Sequence, residues 1–224
     1  MTKPSTFTEA KNEFDAAHST AKEAKCLVPV NGKKRDTAPI RDTQGRPSEE
    51  YFKWQFIHAL INSGLYARDF IGVEIQFPKG NSAVIKLDGA IFDNGDWLEH
   101  YNTYWKDRRS TDLEWLNDHL LAVIEFKKND KEIEKVLTSQ VKPAMREKEP
   151  AAAYVLGVYY GADRLYLFQR RGGKYLLYDE GKNQKGDDSK VGDLSLHLPD
   201  PYSYLPDFDE LRKRVNRPAS FDRS

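Results

Sequence analysis

Three β-rich runs, FIGVEIQF (70 to 77), AVIKLDGAIFD (83 to 93) and LLAVIEFKK (120 to 128), are preceded and followed by stretches of helical period. That order restricts the chain to a mixed α/β architecture. In the stretch before them, Ser48 suits a helix cap and Glu49 and Glu50 occupy the first turn. Trp54, Ile57 and Ile61, with Phe56 and Leu60, then make one broad apolar stripe that Gly64 ends. The first two runs are close enough for a hairpin, while a long segment precedes the third. After it, residues 129 to about 146 return to helical period, with Ile133, Val136, Leu137, Gln140, Val141 and Ala144 on one side and Pro143 as a kink or stop. AAYVLGVYYG (152 to 161) and RLYLFQRR (164 to 171) read as two further strands, followed by KYLLYDE. The order is α, β, β, β, α, β, β.

The flanks are plainer. Thr6 and Glu9 have capping-box spacing, and Phe14, Ala17, Ala21 and Ala24 recur at helical intervals, which predicts a peripheral helix over 6 to 25. Residues 31 to 47, NGKKRDTAPIRDTQGRP, read as a polar linker. Segment 94 to 119 carries three of the four tryptophans. There Trp97, Tyr101, Tyr104 and Trp105 lie at helical spacing ahead of Arg108 and Arg109, a mixture that suits either base stacking with phosphate contact or packing on the domain. Residues 181 to 193 read as a mobile loop and LPDFDELRKRV as a short closing helix. The expected organisation is a helical arm and linker over 1–46, a core over 47–180, and a loop with a short helix over 181–224.

Composition narrows the function. Thirty-five basic residues balance 35 acidic ones, so net charge does not point to a polyanion partner. Basic clusters at Lys33 to Arg35, Arg108 and Arg109, Lys127 and Lys128, Arg170 and Arg171 with Lys174, and Arg212 to Arg214 suit solvated surface runs or phosphate contacts. The one cysteine, Cys26, fits a reducing compartment. No apolar run is long enough for a membrane span and the N-terminus lacks the apolar segment of a secretory signal, so a cytoplasmic location is expected, with no membrane partner. The five histidines show no close metal-ligand pair, and neither GxxxxGK[ST] nor GxGxxG occurs.

The chemistry-bearing pattern lies on the strands. Glu125 and Lys127 are two residues apart, so the pleat turns both to one face and Phe126 to the other. Asp88 is a carboxylate among apolar β residues, followed by Gly89, where a half-buried strand would not place a charge without a partner. Two carboxylates from different strands suit a hard cation such as Mg²⁺, for which Mn²⁺ substitutes, with the Phe126 carbonyl as a further oxygen. Lys127 beside it would orient or deprotonate a water and offset charge building on a phosphorane-like transition state. A structural ion pair of Asp88 with Lys127 or Lys86 is the plainer alternative.

Asp88 followed by Glu125-Phe126-Lys127, on apolar strands, resembles the PD-(D/E)xK nucleases. The likeness is nearest to the N-terminal nuclease module of type I restriction enzyme motor subunits and of fused restriction-methylation proteins, and covers roughly residues 47 to 180. AAYVLGVYYGADRLYLFQRRGGKY resembles the strand-turn-strand that follows the catalytic helix there. The resemblance implies an α/β/α sandwich with a mixed central sheet and a Mg²⁺-dependent endonuclease acting on DNA, in restriction or anti-phage defence. It puts the metal-binding acids on Asp88 and Glu125, the lysine on Lys127, a helix glutamate on Glu50 with Glu49 next, and a glutamine on Gln140. Either glutamate equally suits favourable charge at a helix N-terminus, and Gln140 equally suits a polar helix end. Arg108, Arg109, Lys128, Arg170, Arg171 and Lys174 are the candidate DNA contacts. Methyltransferase, motor or specificity functions, where needed, would lie on another chain or outside this sequence. Three departures stand out: Leu87 replaces the proline that usually precedes the first acid, residues 94 to 119 lengthen the gap to Glu125, and Ala144 stands where some relatives carry a tyrosine. A non-catalytic nucleic-acid-binding or assembly module of the same fold is the alternative.

Overall fold

The computed structural model describes residues 6–79, 83–128, 135, 139, 156–161, 164–171 and 174–177. Its elements run α1 (Phe7–Ala17), β1 (Glu23–Lys25), β2 (Thr37–Pro39), α2 (Glu49–Asn62), a 3-10 turn (Arg68–Phe70), β3 (Ile71–Lys79), β4 (Ala83–Phe92), α3 (Trp97–Asp107), α4 (Ser110–His119), β5 (Leu120–Lys127), β6 (Leu156–Gly161), β7 (Arg164–Arg171) and β8 (Lys174–Leu177). β3 to β8 form a six-stranded sheet in chain order. All its neighbours are antiparallel except β5 and β6, which are parallel, so the sheet is mixed. Of the helix expected over 129 to 146, Lys135 and Ser139 alone are described; Gln140 and everything expected beyond 177 lie outside the described residues.

Each face of the sheet carries its own apolar cluster. On one, Trp54, Phe56, Ile57 and Leu60 of α2 meet Ala122, Ile124 and Phe126 of β5 and Val158 and Tyr160 of β6. On the other, Trp97, Tyr101 and Tyr104 of α3 and Leu116 of α4 meet Phe92, Val123 and Tyr159. The alternation of Ala122, Ile124 and Phe126 against Val123 is the period of a strand buried on both faces. Each of these large side chains contributes roughly 1.5–3 kcal/mol on burial. The aromatic residues of segment 94 to 119 are thus largely core: Trp97 stacks on Phe92 at 4.9 Å and its Nε1–H donates to the Asp69 carbonyl at 2.7 Å. Gly72 makes room for it, since a Cβ there would sit 2.6 Å from the Trp97 ring.

The N-terminal segment differs most from its sequence reading as a peripheral arm and linker. The Thr6–Glu9 capping box forms, but the helix stops at Ala17, and Ala24 lies on a strand. Arg41 explains the stop: its guanidinium donates to the carbonyls of His18 at 2.7 Å, Ser19 at 2.6 Å and Ala21 at 3.1 Å, holding them outside a helix. β1 and β2 then pair antiparallel, with Ala24 opposite Ala38. Asn31 and Gly32, both at positive φ, make a two-residue turn closed by paired hydrogen bonds between Val30 and Lys33, the arrangement that Asn-Gly favours. Phe7, Phe14, Val28, Val30 and Ile40 join the α2 cluster, so this segment is part of the core. It also touches the free edge of β3, where the Asn31 N–H donates to the Val73 carbonyl at 2.9 Å.

Candidate active site

β4 and β5 are paired only over part of their length. The ladder runs from Phe92 and Leu120 to Gly89 and Ile124 and ends there. Beyond it, β4 continues to pair with β3 as far as Ala83, while Glu125, Phe126 and Lys127 pair with Tyr159, Tyr160 and Gly161 of β6. The sheet therefore forks, and Asp88, Glu125 and Lys127 stand at its crotch. The Phe126 N–H, left without a ladder partner on β4, donates to Asp88 Oδ2 at 3.1 Å. N–H and C=O of one strand residue point to the same edge, so the Phe126 carbonyl faces the fork as well. Gly89 permits the close approach: a Cβ on it would lie 3.1 Å from the Phe126 ring and 3.2 Å from Ile124.

Lys127 gathers the acids. Its Nζ donates to Glu125 Oε1 at 2.7 Å and lies 3.7 Å from Asp88 Oδ2 and 3.6 Å from Glu49 Oε2. Side-chain exposure rises from 6% at Glu125 through 19% at Lys127 and 26% at Asp88 to 44% at Glu49, which gives the site a buried floor and an open rim. Burial, and then the Asp88 charge, push the Glu125 carboxyl up to about 8 against the opposing pull of Lys127. Burial raises the Glu49 carboxyl too, with Lys127 offsetting part of the rise and Asp88 adding to it. Burial disfavours the Lys127 ammonium, but Glu125, Asp88 and Glu49 outweigh it and raise its pKa. Three carboxyl groups around one ammonium leave the cluster short of positive charge, which adds to burial in holding the most buried carboxyl above the usual carboxylate range.

Asp88, Glu125 and Lys127 are therefore brought together. Gln140 lies outside the described residues. Of the helix glutamates, Glu49 approaches Lys127, whereas Glu50 turns to its own helix, accepting from Lys53 Nζ and from Trp54 Nε1 at 3.2 Å. Glu49, and not the Glu50 that the resemblance puts first, is thus the one turned to Lys127, because α2 is buried almost all round and its first turn points two ways. Ser48 occupies the cap position, but its hydroxyl makes no cap bond and has no partner.

Two residues that sequence reasoning passed over adjoin the cluster. Lys53, its side chain 4% exposed, reaches Glu74 at 3.3 Å as well as Glu50. Burial works against its charge, but Glu50, Glu74 and Asp88 raise its pKa. Glu74 has φ of 54° in the middle of β3. A left-handed non-glycine residue costs of order 1–3 kcal/mol and persists where its surroundings enforce it. The ladder pairs Val73 with Gly89 and Ile75 with Leu87, so Glu74 stands opposite Asp88. The one available signal was a glutamate breaking the apolar run FIGVEIQF.

The candidate phosphate contacts are more scattered. Arg108 lies 4.1 Å over the Trp105 ring, Arg109 pairs with Asp112 at 2.9 Å, and Lys128 pairs with Asp42 at 3.2 Å. Arg170, Arg171 and Lys174 lie where β7 meets β8, with Arg171 opposite Lys174, two or three strands away from β5. Among the described residues, no three His, Cys, Asp or Glu side chains form a group able to hold a metal ion. The donors at the fork, two carboxylates and a carbonyl facing one opening, are nonetheless the hard oxygens that Mg²⁺ prefers.

No protein-family model, curated protein or solved structure matches this chain. The fold itself defines a mixed α/β protein with helices on both faces of its sheet. No described helix is long and apolar enough to cross a membrane.

Proposed function

We propose that the chain is a Mg²⁺-dependent endonuclease that hydrolyses DNA phosphodiester bonds, with a restriction-endonuclease-like α/β/α core of the PD-(D/E)xK type. The observation that carries this reading is the meeting of Asp88, Glu125 and Lys127 at the sheet fork, from strands far apart in sequence. The order of one helix, three antiparallel strands and a fourth parallel to the third agrees with that core. A role in restriction or anti-phage defence, beside methyltransferase, motor or specificity subunits, follows from the resemblance alone, while a cytoplasmic location suits the one cysteine, Cys26.

Asp88, Glu125 and the Phe126 carbonyl would hold the ion, with Mn²⁺ as a substitute. Bound there, Mg²⁺ would supply Lewis acidity to the scissile phosphate and its attacking water. Ion binding and protonation would compete at Glu125, whose carboxyl is raised. Lys127, kept as an ammonium by three carboxyl groups, is better suited to orient the water and offset phosphate charge than to act as a base. Asp88, fixed by the Phe126 N–H, cannot swing freely. Glu49 at the rim is the α2 glutamate placed to act on Lys127.

The alternative is a nucleic-acid-binding or assembly module without turnover, which draws on the short Lys127–Glu125 contact as a finished ion pair. Incubation of plasmid with the protein and Mg²⁺, with a chelator control, separates the two. Mg²⁺-dependent nicking or cutting supports the nuclease; retention of DNA with no cleavage supports the module.

A further inference from the structure

The side chains of β3 change faces at Glu74. Ile71 and Val73 join the α2 cluster, whereas Ile75 and Phe77, which a regular pleat would turn the same way, join the α3 and α4 cluster. β4 switches with it: Ile91 belongs to the first cluster and Leu87 to the second. At the switch the register passes from Val73 and Gly89 to Ile75 and Leu87, with Glu74 standing opposite Asp88 at the skipped step. Asp88 there turns its carboxylate along the sheet to the Phe126 N–H of β5, instead of standing on either face. On the helix side of the switch lies Lys53, a buried ammonium between Glu74 and Glu50.

We infer that Lys53 is a positioning residue: by holding Glu74 in the left-handed conformation it sets the face switch of the β3–β4 hairpin, and so aims Asp88 into the fork. For its catalytic consequence this rests on the nuclease reading; its geometry does not. Lys53 does not touch substrate or metal in this role, and acts through the backbone of Glu74. The backbone of the Val73 side is held independently, by Asn31 and Pro29, so the kink has a fixed point on one flank and Lys53 at its centre.

The Phe126 amide reports the aim of Asp88 without any metal or substrate. Hydrogen exchange of assigned amides, with Val123 and Ile124 as internal references, is the measurement, with Mg²⁺ binding by calorimetry as the second readout. Lys53→Met and Glu74→Ala should speed exchange at Phe126 by roughly tenfold or more relative to the references and weaken Mg²⁺ binding. Glu74→Gly should leave the Phe126 amide protected, since glycine adopts the left-handed conformation unaided. If Lys53→Met does not fold, the alanine and glycine variants of the partly exposed Glu74 decide the matter by themselves. Normal protection of Phe126 in folded Lys53→Met and Glu74→Ala proteins overturns the inference, as does glycine behaving like alanine at position 74. A wild-type chain that never cleaves DNA but shows the expected exchange pattern removes the nuclease reading and leaves this one standing.

Discussion

The backbone N–H of Phe126 donates to the carboxylate of Asp88 across the opening where β4 and β5 part, at 3.1 Å. This bond satisfies a buried amide that the ladder has abandoned, and it fixes a carboxylate beside Glu125 and Lys127. Structure and proposed chemistry therefore share one group.

Asp88→Ala removes both roles. Cleavage of plasmid with Mg²⁺ should fall by roughly a hundredfold or more, as should that of Lys127→Ala. Far-ultraviolet circular dichroism should remain that of the folded chain. Undiminished cleavage by both variants would sink the mechanism.

The pH dependence follows from Glu125, whose carboxyl is raised to about 8. Folded protein binds this proton more tightly than unfolded protein, so stability contributed by the protonated acid is fully present below the ordinary carboxylate range. It is lost as pH rises towards about 8. Without divalent ions, thermal stability should decline across that window, and Glu125→Gln should flatten the decline. Mg²⁺ affinity should rise over the same window, because the ion needs the carboxylate. Calorimetric titration that finds Mg²⁺ binding unchanged between pH 6 and pH 9 would contradict this assignment.

The two first-turn glutamates of α2 should separate cleanly. Glu49→Gln should lower turnover, by about tenfold, while leaving the melting temperature near wild type. Glu50→Gln leaves the buried Lys53 with Glu74 alone, and should lower stability by on the order of 1–3 kcal/mol. Thermal melts and single-turnover rates on both variants make the comparison. The reverse pattern would return the catalytic assignment to Glu50.

Gly89 tests the closeness of the strands at the fork. Gly89→Ala places a methyl group against Phe126 and Ile124, at 3.1 and 3.2 Å, and should cost roughly 1–3 kcal/mol in chemical denaturation. Gly45→Ala, at a turn where nothing lies within 4 Å, isolates the cost of positive φ alone and should be milder. Equal losses would show that crowding at Gly89 is relieved by local movement.

Local pattern alone determined a good deal of this protein. Strand parity put Glu125 and Lys127 on one side of Phe126, the capping-box spacing gave the start of α1, and β-rich runs gave β3, β4, β5 and β7. These are properties of neighbouring residues, fixed by the pleat and the helical turn. Only the tertiary structure decided the rest. The stop of the first helix depends on Arg41, which reaches back to His18, and the packing of the supposed linker depends on β3 and α3. The choice between Glu49 and Glu50 depends on how α2 rolls against the sheet. The fork depends on where one ladder ends, and the kink at Glu74 on a lysine one helix away. Such features arise from contacts between distant segments, whose free energy overrides local preference and leaves no periodic mark in the chain.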